Sequence, residues 1–137
     1  RPVLQPLAKT LLHIGPVGSA STLKLSMNLT LAAMSAALCE GLNLCRENEI
    51  SDEVFFDALH QNVGRSGLSD LKEPKLKERD YTPQFSVKHM NKDLRLALES
   101  GSPGHLPITT AVRALYEKGV EQGMADDDFV GLIRLLE

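Results

Sequence analysis

The sequence has 137 residues, of which 42% are hydrophobic and 24% charged, and it carries a net charge of −3. This length and composition are typical of one soluble globular domain with a sizeable core. The charge argues against a nucleic-acid-binding surface, because phosphate contacts require clustered lysine and arginine. The one basic stretch, residues 72–79, is interleaved with glutamates, and we expect it to be a solvated helix face.

The cysteines and histidines show no metal-site pattern. Cys39 and Cys45 are six residues apart in one predicted helix, so they project from different faces. No cysteine and histidine spacing of a zinc site is present in the sequence. We therefore expect no metal site and two free, buried thiols, in a reducing compartment such as the cytoplasm or an organelle matrix.

The first part of the chain predicts one unusually long helix. A short helix over 1–10 and an extended link over 11–14 lead to a turn at Gly15 and Gly18. A helix then runs from about Ser19 to about Glu47, which at about 1.5 Å per residue is roughly 40 Å. Its apolar residues lie on most faces, which predicts burial on nearly all sides. A domain of this size needs another domain, another subunit or both to provide that burial.

Residues 25–44 lack lysine and arginine and resemble a membrane span in length. Polar side chains interrupt this segment, among them Asn28, Thr30, Ser35, Glu40 and Asn43. They are too many for a hydrocarbon core, so a helix buried within protein fits better. No secretory signal is visible, and we expect no membrane partner.

The rest of the chain also predicts helices, without a segment of strand periodicity. In order, the predicted helices are 53–61, 68–79, 85 or 86–100, 108–122 and 129–136. Ser51 or Asp52 caps the first, and Pro74 interrupts or restarts the second. One of the aspartates at 126–128 caps the last, which we expect to be amphipathic. The sequence thus predicts an all-α domain with one long central helix.

Lys24 and Asn28 stand one turn apart near the start of the long helix. Side chains at this spacing project from one face. The partial positive charge of a nearby helix N-terminus attracts anions. The pair could therefore hold a carboxylate or donate a proton to a carbonyl oxygen. A solvated surface lysine is the alternative, since a motif this short is weak by itself.

Three segments together carry a family resemblance. They are Gly15-x-x-Gly18-x-Ala20-x-x-x-Lys24-x-x-x-Asn28, Phe85-x-x-x-His89-x-x-Lys92-Asp93-Leu94-x-Leu96-Ala97-Leu98 and Gly123-x-x-Asp126-x-Asp128-Phe129. In order and spacing they resemble the C-terminal domain of the β-hydroxyacid dehydrogenases, over nearly the whole chain. Residues 81–98 look most like the glyoxylate/succinic semialdehyde reductase branch.

The resemblance implies a helical substrate-binding and dimerisation domain over 1–137, similar to the C-terminal domain of 6-phosphogluconate dehydrogenase. It implies an NAD(P)-dependent enzyme that interconverts a small carboxylated aldehyde or keto acid and its hydroxy acid. Lys24 would be the general acid/base. The other implied site residues are Gly18 and Asn28 for substrate, and Lys92, Phe85 and Asp93 for cofactor, with Asp93 supporting Lys92.

Several of these residues have structural alternatives. Phe85 is equally a core aromatic, and His89 a capped or packed histidine. Asp126 and Asp128 fit helix caps better than a site. Two departures from the family pattern matter: Ala20 replaces a glycine, which fits if that position is already helical. Met27 replaces a frequent second asparagine, which leaves the substrate open.

The resemblance also implies a part that these residues lack. Hydride transfer requires a dinucleotide-binding βαβ unit with a Gly-x-Gly-x-x-Gly turn, which the family carries in an N-terminal domain. We expect such a domain before Arg1, no activity of this fragment alone, and a homodimer or homotetramer. The choice between NAD and NADP lies in that domain. The alternative is a non-catalytic oligomerisation or interaction module, which the presence of Lys24 and Lys92 disfavours.

Overall fold

Five α-helices and a C-terminal 3₁₀ helix make up the computed structural model, which describes residues 8–137. The elements are α1 Ser19–Glu47, α2 Asp52–His60, α3 Gly67–Glu78, α4 Val87–Ser100, α5 Pro107–Glu121 and the 3₁₀ helix Phe129–Leu135. Within 8–137 the only extended pairing is one isolated bridge, between Ser86 and Asp128. The predicted all-α fold with one long helix is confirmed.

The long helix α1 begins at a glycine turn, as predicted. Gly15 and Gly18 have φ values of 150° and 98°, a region where a side chain is strained and glycine is not. Gly18 is the N-cap residue of α1. Ala20 already lies within the helix, which explains why alanine is tolerated there.

The centre of α1 forms the axis of the fold, because this helix contacts all five other helices. Its buried stripe consists of Ala32, Ser35, Ala36, Cys39 and Leu42. Large side chains from the surrounding elements complete the core, among them Phe56, Leu76, Met90, Tyr116 and Leu132. By length and composition α1 could cross a membrane, although 28% of its most apolar window is buried against the other helices.

Both cysteines are free thiols, as predicted. Cys39 is fully buried in α1, and burial raises the pKa of its thiol to about 12. A thiol that is not ionised is a poor nucleophile and metal ligand. Cys45 is only half-buried, so the expectation of two buried thiols is correct for Cys39 alone.

The ends of the helices follow their capping residues. Ser51 caps α2 by accepting a hydrogen bond from the Val54 amide. Ser66 caps α3 in a reciprocal arrangement with Ser69. Asp128 caps the 3₁₀ helix through the Val130 amide, which selects one of the three candidate aspartates.

Three expectations about local structure are wrong. α3 continues through Pro74, whose exposed position leaves the unpaired carbonyl one turn earlier on the solvent side. The last helix is a 3₁₀ helix with five consecutive buried residues, 129–133, and is not amphipathic. Residues 8–10 are not helical, while 1–7 of the predicted first helix lie outside the described residues.

The basic stretch 72–79 is only partly a solvated face. Lys72 is 1% exposed and its ammonium lies 2.9 Å from the Asp128 carboxylate. The sequence carried a signal of this, because Lys72 stands four residues from both Leu68 and Leu76, on the buried face of α3.

Candidate functional site

A buried carboxylate on α4 is the centre of the candidate site. Asp93 is 1% exposed and lies within the apolar stripe of its helix, between the buried Met90 and Ala97. A charge in such a position requires partners, because an unpaired buried carboxylate is strongly destabilising.

The partners of Asp93 come from the beginning of α1. The ammonium Nζ of Lys24 donates to Asp93 Oδ2 at 2.9 Å, and the Asn28 amide donates to the same oxygen at 2.6 Å. Lys24 and Asn28 share one face of α1 because they are one turn apart. Contact between α1 and α4 therefore joins residues that are 69 and 65 positions apart in the chain.

A second lysine flanks the same carboxyl group. The Lys92 ammonium lies 3.2 Å from Asp93 Oδ1, so Asp93 is close to Lys92 as well as to Lys24. Half or more of each lysine side chain is exposed, 59% for Lys24 and 50% for Lys92. Two ammonium groups and one carboxylate leave this cluster with an excess positive charge that faces solvent.

The ionisation of Asp93 reflects two opposing effects. Burial by itself raises the pKa of the Asp93 carboxyl, and the hydrogen bonds from Lys24 and Asn28, together with the nearby Lys92 ammonium, lower it. The hydrogen bonds prevail, and the pKa lies below the ordinary value of 3.8. Asp93 is therefore a carboxylate at neutral pH and accepts these hydrogen bonds in its charged form.

Gly18, the other predicted substrate residue, stands at the start of α1. Among residues 8–137 no side chain caps this helix end. A Cβ built on Gly18 would meet no atom within 4 Å of the described chain. The backbone is thus open to approach at a helix N-terminus, the part of a helix that favours anions.

Phe85, the predicted cofactor residue, precedes α4 by two positions. Its ring is half-buried and packs edge-on against Phe129, with centroids 6.3 Å apart. The His89 ring is also near, tilted against the Phe85 ring with centroids 5.8 Å apart. The His89 ring is exposed, and its Nδ1 is 2.7 Å from the Ser86 hydroxyl. Phe85 is therefore partly a core aromatic and partly accessible.

Sequence reasoning missed the contact of Asp93 with Lys24. A signal was present, because Asp93 follows Met90 by three positions and precedes Ala97 by four, within the apolar stripe of α4. A carboxylate in a buried stripe predicts a cationic partner, although the sequence does not say which one. In residues 8–137 no group of three or more metal-ligating side chains occurs.

Comparison with known proteins identifies the family. Residues 18–136 match the family described as NAD-binding of NADP-dependent 3-hydroxyisobutyrate dehydrogenase. The chain belongs to this family. The match confirms the resemblance found in the sequence and supports the NAD(P) cofactor that it implied.

Individual members of this family are similar over almost the whole chain. Glyoxylate/succinic semialdehyde reductase 2, chloroplastic, from Arabidopsis thaliana is 31% identical over 139 residues, which are 99% of this chain and 38% of the relative. 2-(Hydroxymethyl)glutarate dehydrogenase from Eubacterium barkeri is 30% identical, over 100% of this chain and 46% of the relative.

A solved structure of Mycobacterium tuberculosis 3-hydroxyisobutyrate dehydrogenase with L-serine has the same fold. Its TM-score is 0.88 at 28% identity, over 100% of this chain and 50% of that one. The chain thus spans half or less of the length of these relatives.

Proposed function

We propose that this chain is the helical substrate domain of an NAD(P)-dependent reductase for small carboxylated aldehydes or keto acids. The observation that carries the proposal is the contact of the exposed Lys24 ammonium with the buried Asp93 carboxylate. An ion pair that only stabilises the fold requires no more than two groups that face each other. Here one partner is held rigidly in the core while the other keeps donors free toward solvent.

Lys24 acts as the general acid in this reaction. NAD(P)H, when bound, supplies the hydride for the carbonyl carbon. The Lys24 ammonium donates a proton to the carbonyl oxygen, which becomes the hydroxyl of the product, and the lysine is left neutral. In the reverse direction the neutral amine accepts the hydroxyl proton. Asp93 and Asn28 hold Lys24 in one orientation, which general acid catalysis requires.

The charge of the cluster favours an anionic substrate. Two ammonium groups share one carboxylate, so the site retains an excess positive charge beside the open start of α1. A carboxylate in the same small molecule as the carbonyl group would complement both features. Relatives named for glyoxylate, succinic semialdehyde and 2-(hydroxymethyl)glutarate support this substrate class, because each of these compounds carries a carboxylate.

Lys92 and Phe85 suit the cofactor side of the site. Lys92 offers a half-exposed ammonium for a phosphate or an amide oxygen, and Phe85 offers a half-buried aromatic ring for a planar group. The main binding unit for the cofactor would be an N-terminal dinucleotide-binding domain, which agrees with relatives about twice as long as this chain. In the alternative, a non-catalytic oligomerisation or interaction module, the pairing of Lys24 with Asp93 would serve only to stabilise the fold.

The proposal is tested by assaying the full-length protein with NADPH and NADH against glyoxylate, succinic semialdehyde and butyraldehyde. The two carboxylated aldehydes should be reduced, with kcat/KM about 100-fold above that of butyraldehyde, because only they pair with the positive cluster. The isolated chain 1–137 should not oxidise NADPH. Equal rates for butyraldehyde would remove the carboxylate requirement, and no turnover with any aldehyde would contradict the proposal itself.

A further inference from the structure

A buried ion pair joins α3 to the C-terminal 3₁₀ helix, away from the lysines of the candidate site. Lys72 and Asp128 are 1% and 0% exposed. The Lys72 ammonium donates to both Asp128 oxygens at 2.9 Å and to Gln84 Oε1 at 2.8 Å. The ring of Phe129 lies under the same ammonium, 4.5 Å away. All hydrogens of this ammonium therefore have acceptors.

The energetic character of the pair points to a role other than stability. Taking two charges out of water is costly, and apolar side chains of similar size are often as stabilising as a buried ion pair. A fully bonded buried pair does, however, fix the positions of the segments that it joins. Which segments it joins is therefore the informative question.

Asp128 links the segment before α4, residues 81–86, to the start of the 3₁₀ helix by hydrogen bonds. Its Oδ2 accepts from the Gln84 amide at 2.9 Å, and its Oδ1 accepts from the Val130 amide at 3.2 Å. Its own amide donates to the Tyr81 carbonyl at 2.7 Å. The carboxylate therefore bonds to both segments at once, and Lys72 neutralises it.

Backbone hydrogen bonds also join the residues on either side of Asp128 to Phe85 and to the start of α4. The Phe129 amide donates to the Phe85 carbonyl at 2.9 Å. The first two amides of α4, those of Val87 and Lys88, donate to the carbonyls of Asp127 and Ala125 at 2.9 and 3.0 Å. The N-terminus of α4 is thus held by the segment that Asp128 anchors, and it is not free to bind an anion.

From the pair, contacts lead to the residues expected to face the cofactor and substrate. Phe129 packs against both the Lys72 ammonium and the edge-on Phe85 ring. α4 carries Lys92 and Asp93 in its second turn, less than 10 Å from its first residue at about 1.5 Å per residue. A shift of the start of α4 would therefore change the position of Asp93 and its contact with Lys24.

We propose that Lys72 and Asp128 are positioning residues, whose buried ion pair sets the place of Phe85 and of the first turns of α4 relative to α1. They touch neither substrate nor cofactor. Their effect on turnover passes through Phe85 and through the contact of Asp93 with Lys24. The part of the inference that concerns turnover rests on the proposed function, whereas the structural part does not.

The structural part is tested by amide hydrogen exchange in the full-length protein. Lys72→Met should speed exchange about tenfold or more at Gln84, Val87, Lys88 and Phe129, whose amides bond within the anchored segments. Arg46→Met is the matched control, because Arg46 also joins several elements through ion pairs, with Asp52 and Glu137. It should leave those four amides unchanged. Unchanged exchange at these amides in folded Lys72→Met would overturn the inference.

If Lys72→Met does not fold, the double variant Lys72→Met/Asp128→Asn replaces it. It removes both charges, so that no lone buried carboxylate remains. It should show the same local increase in exchange, and protection equal to wild type in this variant would also overturn the inference.

The catalytic part is tested by a double-mutant cycle between Lys72 and Phe85. Lys72→Met should lower kcat/KM about tenfold in the wild-type background and by a smaller factor in Phe85→Ala, where the part of the effect that passes through the Phe85 ring is already lost. Arg46→Met should combine additively with Phe85→Ala. Additive effects of Lys72→Met and Phe85→Ala would refute coupling. If the wild type reduces none of the aldehydes, the proposed function fails while hydrogen exchange still decides the structural part.

Discussion

The carboxylate of Asp93 lies in the apolar stripe of α4, where an unpaired charge would be strongly destabilising. Lys24, Asn28 and Lys92 supply its partners, and two of these belong to α1. The same contacts that satisfy the buried charge also fix the orientation of Lys24. Stability and orientation of the candidate site are therefore coupled at this residue.

The pH dependence of stability in Asp93→Asn tests whether Asp93 is ionised in the folded protein. The lowered pKa of Asp93 means that its ionised form stabilises the fold above the ordinary value of 3.8, and that this contribution is lost as pH falls through the lower folded value. We expect Asp93→Asn to lower the free energy of unfolding by about 1–3 kcal/mol at pH 7, from the loss of charge-assisted hydrogen bonds. Urea unfolding at pH 7 and near pH 3 measures the difference.

The control for this comparison is Asp57→Asn, at an exposed position of α2. It should change stability by no more than about 0.5 kcal/mol at either pH. If Asp93→Asn lowers the free energy of unfolding as much or more near pH 3 than at pH 7, the assignment of Asp93 as a carboxylate with a lowered pKa is contradicted.

At the scale of helices, capping residues and apolar periodicity were sufficient to predict most elements. α1 was predicted within its observed bounds, because a glycine turn and an apolar run mark it clearly. The prediction that Pro74 interrupts or restarts α3 is wrong, since a proline at an exposed position removes a hydrogen bond without ending the helix. The last helix is predicted at 129–136, but local periodicity does not reveal that it is a 3₁₀ helix or that its apolar run of 129–133 is buried throughout.

The candidate site was only half predictable for a related reason. Lys24 and Asn28 are close in sequence, so helical spacing alone places them together. Their pairing with Asp93 depends on how α1 packs against α4, which local periodicity does not encode. The pair of Lys72 and Asp128 is similar, since 56 residues separate its members.

Pro74 in the interior of α3 provides a test at this scale. Pro74→Ala restores an amide donor in the helix interior, where proline costs about 3 kcal/mol. The variant also gains unfolded-state entropy, which offsets about 0.4–1 kcal/mol. We therefore expect the free energy of unfolding to rise by about 2 kcal/mol in urea unfolding. Glu78→Ala, near the end of the same helix, should have little effect, and a less stable Pro74→Ala would refute the argument.

For the whole molecule, the unburied face of α1 is the main open surface. Four apolar side chains at helical spacing lie on it with 37–54% exposure: Leu23, Met27, Leu31 and Met34. A contiguous exposed apolar face is typical of an interface. We propose that other domains or subunits cover it in the full-length protein, as the apolar character of the long helix predicted.

Sedimentation or light scattering of the full-length protein tests this. We expect the mass of a dimer or tetramer, and partial or complete dissociation in Leu31→Arg, which places a charge in the apolar face. Val63→Arg, at a fully exposed turn between α2 and α3, is the control and should keep the wild-type mass. A monomeric wild-type protein would contradict the proposal.

The most direct test of the account is the steady-state reduction of glyoxylate or succinic semialdehyde by full-length Lys24→Ala, beside Lys118→Ala. Lys118 is exposed on α5 and makes no ion pair within 8–137. Loss of a general acid should lower kcat about 100-fold or more, with the KM for NADPH changed less than about threefold. Lys118→Ala should behave as wild type. A kcat for Lys24→Ala within about threefold of wild type would exclude Lys24 as the proton donor.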